Sequence, residues 1–360
     1  MSNSFKEIHP GFRLQGEHYT KEQLKEVAYS LIKEGEDFEK SIGDFLIDWL
    51  NDADNLMVQT SGSTGKPKKI QLQKDYMKNS AMVTGEFFGL KPKDTALLCL
   101  PASYIAGKMM LVRSMVLGLH LDYISPTTVI SIKDDSAYDF AAMVPLQVEN
   151  SLSEIQKIKH LIVGGAAVSE ELKVKIGLSG SQTQIYETYG MTETITHVAV
   201  KKIHPKSNIQ VNFEALKGVT FKQDERSCLI IDAPLVTDGP VLTNDVVNLV
   251  SEKEFTWLGR YDNVINSAGV KLFPEQIEAK MGKFLSQRFF VAGIPDQKLG
   301  QKLVLILEGE GQILAVRDKI AHSSELDTYE RPKEIYLVKK FKETTSGKIQ
   351  RNNTLKLLPI

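Results

Sequence analysis

The chain has 360 residues, 42% hydrophobic and 25% charged, with 44 lysines and arginines against 45 acidic residues and a formal net charge of −1. That length predicts two domains of ordinary globular make-up with a sizeable core. Balanced charge excludes a global pull toward nucleic acid or an anionic membrane, so any recognition of phosphate has to be local.

The first residues, MSNSFKEIHPGFRLQG, contain no apolar h-region of the kind a signal peptide needs. No apolar run reaches the ~18 residues of a membrane span; MMLVRSMVLGLHL comes nearest and is broken by Arg113 and His120. Cys99 and Cys228 lie far apart in apolar surroundings and read as buried thiols, not as a disulfide or a metal site. The expectation is a cytoplasmic protein without integral membrane contact.

Residues 20–50 predict two amphipathic helices, the first opened by a Thr20–Gln23 capping box. NLMV then predicts a strand, KDYMKNSAMVTGEFF a helix, TALLCL a strand and GKMMLVRSMVLG a helix. HLIVGG, SEELKVKI and QIYETYG continue as strand, helix and strand. Such alternation predicts an α/β fold with mainly parallel sheets flanked by helices, and ligands at the strand C-terminal ends. Near residue 210 the pattern changes to short strands and turns, CLIIDAPL and VVNLVSEKEFTWLG, which suit a smaller antiparallel piece. Beyond Gly259-Arg260-Tyr261-Asp262 a compact α+β unit follows, reading PEQIEAKMGKFL (helix), RFFVAGIP and KLVLILEG (strands), GQILAVRDKIAH (helix), EIYLVKKF (strand). The expected domains are 1–261 and 262–360, the second small and mobile.

Several segments carry chemistry. In QTSGSTGKPKKIQL, Gly62 and Gly65 permit close backbone approach to an anion; Thr60, Ser61, Ser63 and Thr64 add hydroxyls, and Lys66 adds charge. A Walker A loop separates its glycines by four residues and runs from its lysine into a helix. Here two residues separate them and Pro67 follows Lys66, so this is a different phosphate loop, or a Ser/Gly surface turn. YETYGMTET offers an aromatic face in Tyr189, a turn at Gly190, hydroxyls in Thr192 and Thr194, and the Glu193 carboxylate, an oxygen ligand of the kind Mg²⁺ favours. VGGAAV ends a strand in Gly164, Gly165 and Ala166, which suits either a flat ligand or a tight turn. GRYDNVINSAGVKLFPEQIE joins the domains, with Arg260 a candidate for ribose or phosphate. Near the C-terminus, Lys348 follows a Ser-Gly turn in ETTSGKIQR.

In this order and spacing, these motifs resemble the adenylate-forming superfamily of acyl- and aryl-CoA ligases, peptide-synthetase adenylation domains and luciferases. The resemblance runs from about Leu56 to the C-terminus. It implies that Thr60–Lys68 hold the ATP phosphates and that Gly164, Gly165 and Ala166 flank adenine. Tyr189 would stack on the base, Thr192 would contact the α-phosphate, and Glu193 would help bind Mg²⁺. Asp245 falls on the ribose-binding aspartate, Arg260 on the nucleotide-binding arginine, Asp262 on the hinge, and Lys348 on the lysine needed for adenylation. The family's small domain rotates about that hinge and exchanges the lysine for the loop around Gly269. The implied co-substrate is coenzyme A.

The chain departs from the family pattern at several points. Tyr104 stands where a histidine is usual, Asn244 replaces a glycine in the ribose motif, and Lys342 replaces a proline ahead of the lysine motif. The large domain is also short, because phosphate-loop material begins near residue 60. This compact build, with LPASYIAGKMMLVRS and YGMTETITHVA, is similar to o-succinylbenzoate–CoA ligases of bacterial menaquinone synthesis. Such a substrate, an aryl carboxylic acid, carries a second carboxylate in need of a partner. Tyr104, Lys108, Arg113 and His197 lie in segments that reach the family's acyl pocket, although Lys108 and Arg113 suit a solvated helix face equally well. A ligase for another aryl or acyl acid and a non-catalytic nucleotide-binding remnant are the competing readings. Oligomeric state is not encoded legibly.

Overall fold

The structure is a computed structural model that describes residues 8–59, 69–203, 212–310, 313–343 and 349–358. After the short strand β1 (Arg13–Leu14) come helices α1 (Lys21–Glu34) and α2 (Asp37–Leu50). The Thr20–Gln23 capping box forms as the sequence predicts: Gln23 N–H donates to Thr20 Oγ1 at 3.3 Å and Thr20 N–H to Gln23 Oε1 at 3.0 Å. β2 (Asn55–Gln59) and β3 (Lys69–Gln73) pair antiparallel with Gln59 opposite Lys69, and α3 (Lys74–Phe88) follows.

The α/β part then alternates: β4 (Thr95–Leu98), α4 (Ile105–Leu117), β5 (His120–Tyr123), β6 (Tyr138–Met143), α5 (Pro145–Asn150), β7 (Ile158–Val163), α6 (Glu170–Leu178) and β8 (Gln184–Gly190). Its central strands β4, β6 and β7 contribute side chains to a core on each face of the sheet. Along β4 and just beyond it, Ala96 and Leu98 join the core under α1–α4, whereas Leu97 and Cys99 join the one under α5 and α6. Along β6, Phe140 and Ala142 alternate in the same way with Ala141 and Met143.

The chain continues through β9 (His197–Ile203), β10 (Phe213–Ala215), β11 (Thr220–Gln223), β12 (Cys228–Asp232), β13 (Val241–Ser251) and β14 (Glu254–Arg260). These strands pair antiparallel, as expected of this part of the chain. They extend the same twelve-stranded sheet, in the order β1-β5-β4-β6-β7-β8-β9-β10-β14-β13-β12-β11. Parallel pairing ends at β8, and β9 returns antiparallel to it. The change of pattern thus falls at His197, ahead of the expected position near 210, because the chain reverses in the tight turn after Gly190.

β15 (Ile265–Ser267) and β16 (Val270–Leu272) open a second sheet, with Gly269 in their connecting turn. α7 (Pro274–Met281) starts with proline at its first position, where no N–H is needed. β17 (Phe289–Asp296), β18 (Gly300–Glu308), α8 (Ile313–His322) and β19 (Glu334–Val338) follow, and α9 (Arg351–Leu355) lies near the end. The small sheet is antiparallel except where β19 runs parallel to β18. Among the described residues no helix is long and apolar enough to cross a membrane.

Candidate active site

A cleft of about 1650 Å³ opens where the C-terminal ends of β6, β7 and β8 face α7. Single-ligand pockets run to about 1,000 Å³, so this one has room for more than one substrate. Its position at the strand ends of an α/β sheet is where that architecture leaves backbone groups free.

One wall is built by the glycine turn and β8. Gly165 takes φ +82°, a value an L side chain resists, and this lets the chain leave β7 and enter the turn before α6. The turn is held from beneath: Val168 N–H donates to Glu187 Oε1 at 3.1 Å. Glu187 is buried and faces Lys201 Nζ at 2.8 Å, while Lys201 also sits 4.3 Å from the Phe213 ring centroid.

The opposite wall comes from the β13–β14 hairpin, whose register sets Asp245 against Arg260. Asp245 is buried and gathers three donors. Tyr189 O–H donates at 2.8 Å, Trp257 Nε1–H at 3.2 Å, and Arg260 at 3.4 Å. Burial and the neighbouring Asp245 charge push the Tyr189 phenol well above its ordinary value, so it stays a donor. Its ring packs edge-on against Phe255 at 5.1 Å. A carboxylate has about four lone-pair sites, so Asp245 keeps capacity for a further hydroxyl. Tyr189, Asp245 and Arg260 all line the cleft, with Gly164, Gly165 and Ala166.

Thr192 and Glu193 lie in a single 3₁₀ turn at the cleft edge. Glu193 is exposed and has no protein partner among the described residues, which leaves both oxygens available. Ile195, buried, takes φ +64° and ψ −57°, and Thr196 N–H donates to Thr194 O at 2.7 Å. This is a γ-turn of positive φ, rare and strained for a β-branched residue. It is packed so tightly that a Cβ on Gly190 would stand 2.2 Å from Thr196 O.

The turn delivers Thr196 and His197 onto Arg113 of α4. Arg113 is 1% exposed. Its neighbours are Thr84 Oγ1 at 3.4 Å, Met110 Sδ at 3.8 Å, Thr196 Oγ1 at 3.2 Å and His197 Nδ1 at 3.4 Å, all neutral. Burial pulls the guanidinium down to about 9, which leaves it charged at neutral pH. Burial, and then Arg113, hold His197 well below its ordinary value, so the imidazole is neutral. Arg113 can only donate, so Nδ1 accepts and Nε2 carries the hydrogen; that Nε2 is buried without a partner among the described residues. Arg113, Thr196 and His197 line the cleft beside Ile105 and Ala106.

Other candidates are placed elsewhere. Lys108 does not line the cleft: its ammonium lies 5.0 Å over the Phe45 ring of α2, half-buried near Asp44 and Asp48. Tyr104, 43% exposed, precedes α4 outside the cleft lining. Five residues at about 100° each set Lys108 about 140° around α4 from Arg113, away from the cleft. Asp262 is exposed in a 3₁₀ turn and lies 3.7 Å from Arg260. Thr60, Ser61, Gly62, Ser63, Thr64, Gly65, Lys66 and Lys348 lie outside the described residues; Ile349, next to Lys348 in the chain, lines the cleft.

Sequence reasoning missed Glu187, Thr196 and Trp257. The signal for Glu187 was available: it shares the strand parity of Ile185 and Tyr189 on β8, an inward position where a carboxylate is rarely left unpaired. Thr196 and Trp257 had no such signal.

The AMP-binding enzyme family matches residues 21–214. A 2-succinylbenzoate–CoA ligase of Listeria monocytogenes is 24% identical over 323 residues, covering 82% of this chain and 68% of the relative. A crystal structure of an acyl-CoA synthetase (AMP-forming)/AMP-acid ligase II-like protein from Dyadobacter fermentans is 36% identical, covers 92% of this chain and 98% of that one, and superposes with a TM-score of 0.59. The o-succinylbenzoate coenzyme A synthetase of Bacillus subtilis, in complex with ATP and magnesium, shares the fold at 19% identity and a TM-score of 0.72, over 93% of this chain and 82% of that one.

Proposed function

The chain belongs to the AMP-binding enzyme family, and from that premise we propose that it activates an aryl dicarboxylic acid of the o-succinylbenzoate class by adenylation and transfers the acyl group to coenzyme A. Arg113 carries the choice of substrate. A buried cation without a carboxylate is a costly thing to retain in a core. It suits a pocket whose missing anion arrives with the substrate. The distal carboxylate would accept from Arg113, with Thr196 and His197 beside it. A monocarboxylic acid with an apolar tail has no use for that charge.

The reacting carboxylate oxygen then attacks the α-phosphorus of ATP, the bond to the β-phosphate oxygen breaks, and pyrophosphate leaves. In the second step the thiol sulfur of coenzyme A attacks the acyl carbon, AMP departs with the oxygen, and the thiol proton passes to solvent. We assign Tyr189, Gly164, Gly165 and Ala166 to adenine, Asp245 and Arg260 to ribose, Thr192 to the α-phosphate, and Thr60–Lys66 to the leaving phosphates. Lys348 would bridge the reacting carboxylate and the α-phosphate. Asp262 is the hinge between the domains 1–261 and 262–360 in this reading.

The residues fit Mg²⁺, an ion usually bound through one or two carboxylates plus substrate phosphates. Glu193 presents such a carboxylate on the cleft, without a partner among the described residues. Bound there, Mg²⁺ would screen phosphate charge as it develops on the leaving group.

The test is a mass spectrum of products from ATP, Mg²⁺, coenzyme A and a panel of acids. The expected product is o-succinylbenzoyl-CoA with AMP. Turnover of a simple benzoate but not of succinylbenzoate would overturn the substrate assignment. Failure to form an adenylate from any acid would favour a nucleotide-binding remnant.

A further inference from the structure

We propose that Arg226 is a positioning residue for nucleotide binding, which clasps the open end of the β13–β14 hairpin and so sets the Asp245–Arg260 pair that faces the cleft. The proposal deepens, and rests on, the reading of that wall as the seat of the ribose.

Asp245 and Arg260 are register partners on the two strands, so Asn244 and Tyr261 flank them toward the open end of the hairpin. Arg226, in the turn between β11 and β12, reaches both flanks. On β13, Nη1 donates to Asn244 Oδ1 at 3.1 Å and Nη2 to Thr243 O at 3.4 Å. Beyond β14, the guanidinium carbon lies 5.0 Å from the Tyr261 ring centroid. Asn244, which replaces a glycine of the family pattern, supplies the side-chain acceptor for the fork. Arg226 is itself held in place. Its Nε donates to Asp224 Oδ2 at 2.9 Å, and Nη2 lies 2.8 Å from the same oxygen. Asp224 Oδ1 accepts the backbone N–H groups of Arg226 and Cys228, each at 2.8 Å. The turn thus fixes the fork, and the fork fixes the hairpin.

Thr243, Asn244, Asp245 and Arg260 line the cleft, whereas Arg226 and Tyr261 do not. Arg226 therefore acts through the wall and not on the ligand. The wall needs such support on its Arg260 side. Arg260 stands 3.4 Å from Asp245 and 3.7 Å from Asp262, contacts long enough for a small movement of the strand to open them. A hydrogen-bonded planar fork fixes direction as well as distance, which a point charge does not. An O–H···O bond holds over about 2.5–3.0 Å, so a wall displaced by about 1 Å no longer accepts a ribose hydroxyl.

The test measures, by titration calorimetry, the affinity of the full chain for AMP and for the analogue whose ribose lacks both hydroxyls. In the parent, the analogue should bind about tenfold or more weakly than AMP. Arg226→Met should weaken AMP by about tenfold yet leave the analogue within about twofold, because the contact displaced is the one the analogue never makes. Arg226→Lys, which keeps the charge but not the fork, should recover only part of the AMP affinity. The Arg226 side chain is 40% exposed, so the urea midpoint should hold in both variants. Equal weakening of AMP and the analogue, or an unchanged affinity for AMP, overturns the proposal. A second readout needs no ligand. Trp257 donates to Asp245, and the other tryptophan, Trp49, is fully buried. Quenching of Trp257 fluorescence by acrylamide should change in Arg226→Met, and unchanged quenching overturns the clasp. If the parent binds AMP and the analogue equally, the ribose reading of Asp245 fails and the nucleotide role of Arg226 with it, while the quenching still decides whether Arg226 holds the wall.

Discussion

Arg113 and His197, 84 residues apart, meet at 3.4 Å on the wall of the cleft, one a buried cation and the other a neutral ring whose Nε2–H has no partner among the described residues. Neither group finds a carboxylate among the described residues. Both are donors waiting for an acceptor, and the chemistry that supplies one is an acid substrate with a second carboxylate.

Arg113→Met should separate binding from folding. Removing a charge-assisted contact worth about 1.5–3 kcal/mol should raise KM for a dicarboxylate acid by about tenfold to a hundredfold. KM for ATP should not change. Stability in urea should hold or rise, by up to about 4 kcal/mol, because an unpaired buried charge gives way to an apolar side chain. A fall in stability together with an unchanged acid KM would assign Arg113 to the core instead.

His197 predicts a pH dependence of stability. Burial and then Arg113 hold its folded value well below the ordinary one, so near pH 6 the unfolded chain binds a proton that the folded protein refuses. This contribution is complete above about pH 6.5 and is lost as pH falls, at up to about 1.4 kcal/mol per unit. His197→Gln should flatten the urea midpoint between pH 6.5 and pH 5 by one proton's worth, relative to the parent. Parallel profiles would contradict the neutral, buried imidazole.

Asp245→Asn should weaken ATP without touching the acid. The substitution removes the negative charge that draws in Tyr189, Trp257 and Arg260. Loss of one charge-assisted contact corresponds to about tenfold or more in ATP affinity, read by titration calorimetry. An equal loss for acid and nucleotide would point to collapse of the β13–β14 wall.

Glu193→Gln should shift the Mg²⁺ requirement. The concentration for half-maximal pyrophosphate exchange should rise by about tenfold or more. Thioester formation from supplied acyl-adenylate should continue in the variant, and in the parent after chelation by EDTA. A Mg²⁺ requirement identical to the parent's would remove Glu193 from the ion's ligands.

Much of the fold was legible because its signals are local. KDYMKNSAMVTGEFF is α3 to the residue, QIYETYG is β8 to the residue, and Thr20 with Gln23 caps α1 as written. β6 and β9 were not read, although both strands are largely buried. Their length and composition do not distinguish a covered strand from a short helix segment until neighbours are known. The reversal after Gly190 was invisible for a different reason. It depends on Ile195 adopting a conformation that its own side chain disfavours, which only the surrounding packing can enforce.

At the site, the sequence by itself determined the chemical inventory and its order along the chain: the glycine turn, the aromatic-Gly-x-Thr-Glu segment, Asp245, Arg260 and the C-terminal lysine. Residue type and spacing within one short segment suffice for that, because both are local properties of the sequence. Tertiary structure alone decided which of Lys108 and Arg113, five residues apart on one helix, faces the cleft. It also gave Arg113 its neutral company from α3 and the turn before β9, and joined Glu278 to Arg351 across 73 residues. A side chain's charge is written in the sequence; whether that charge is left without a partner depends on everything that folds around it.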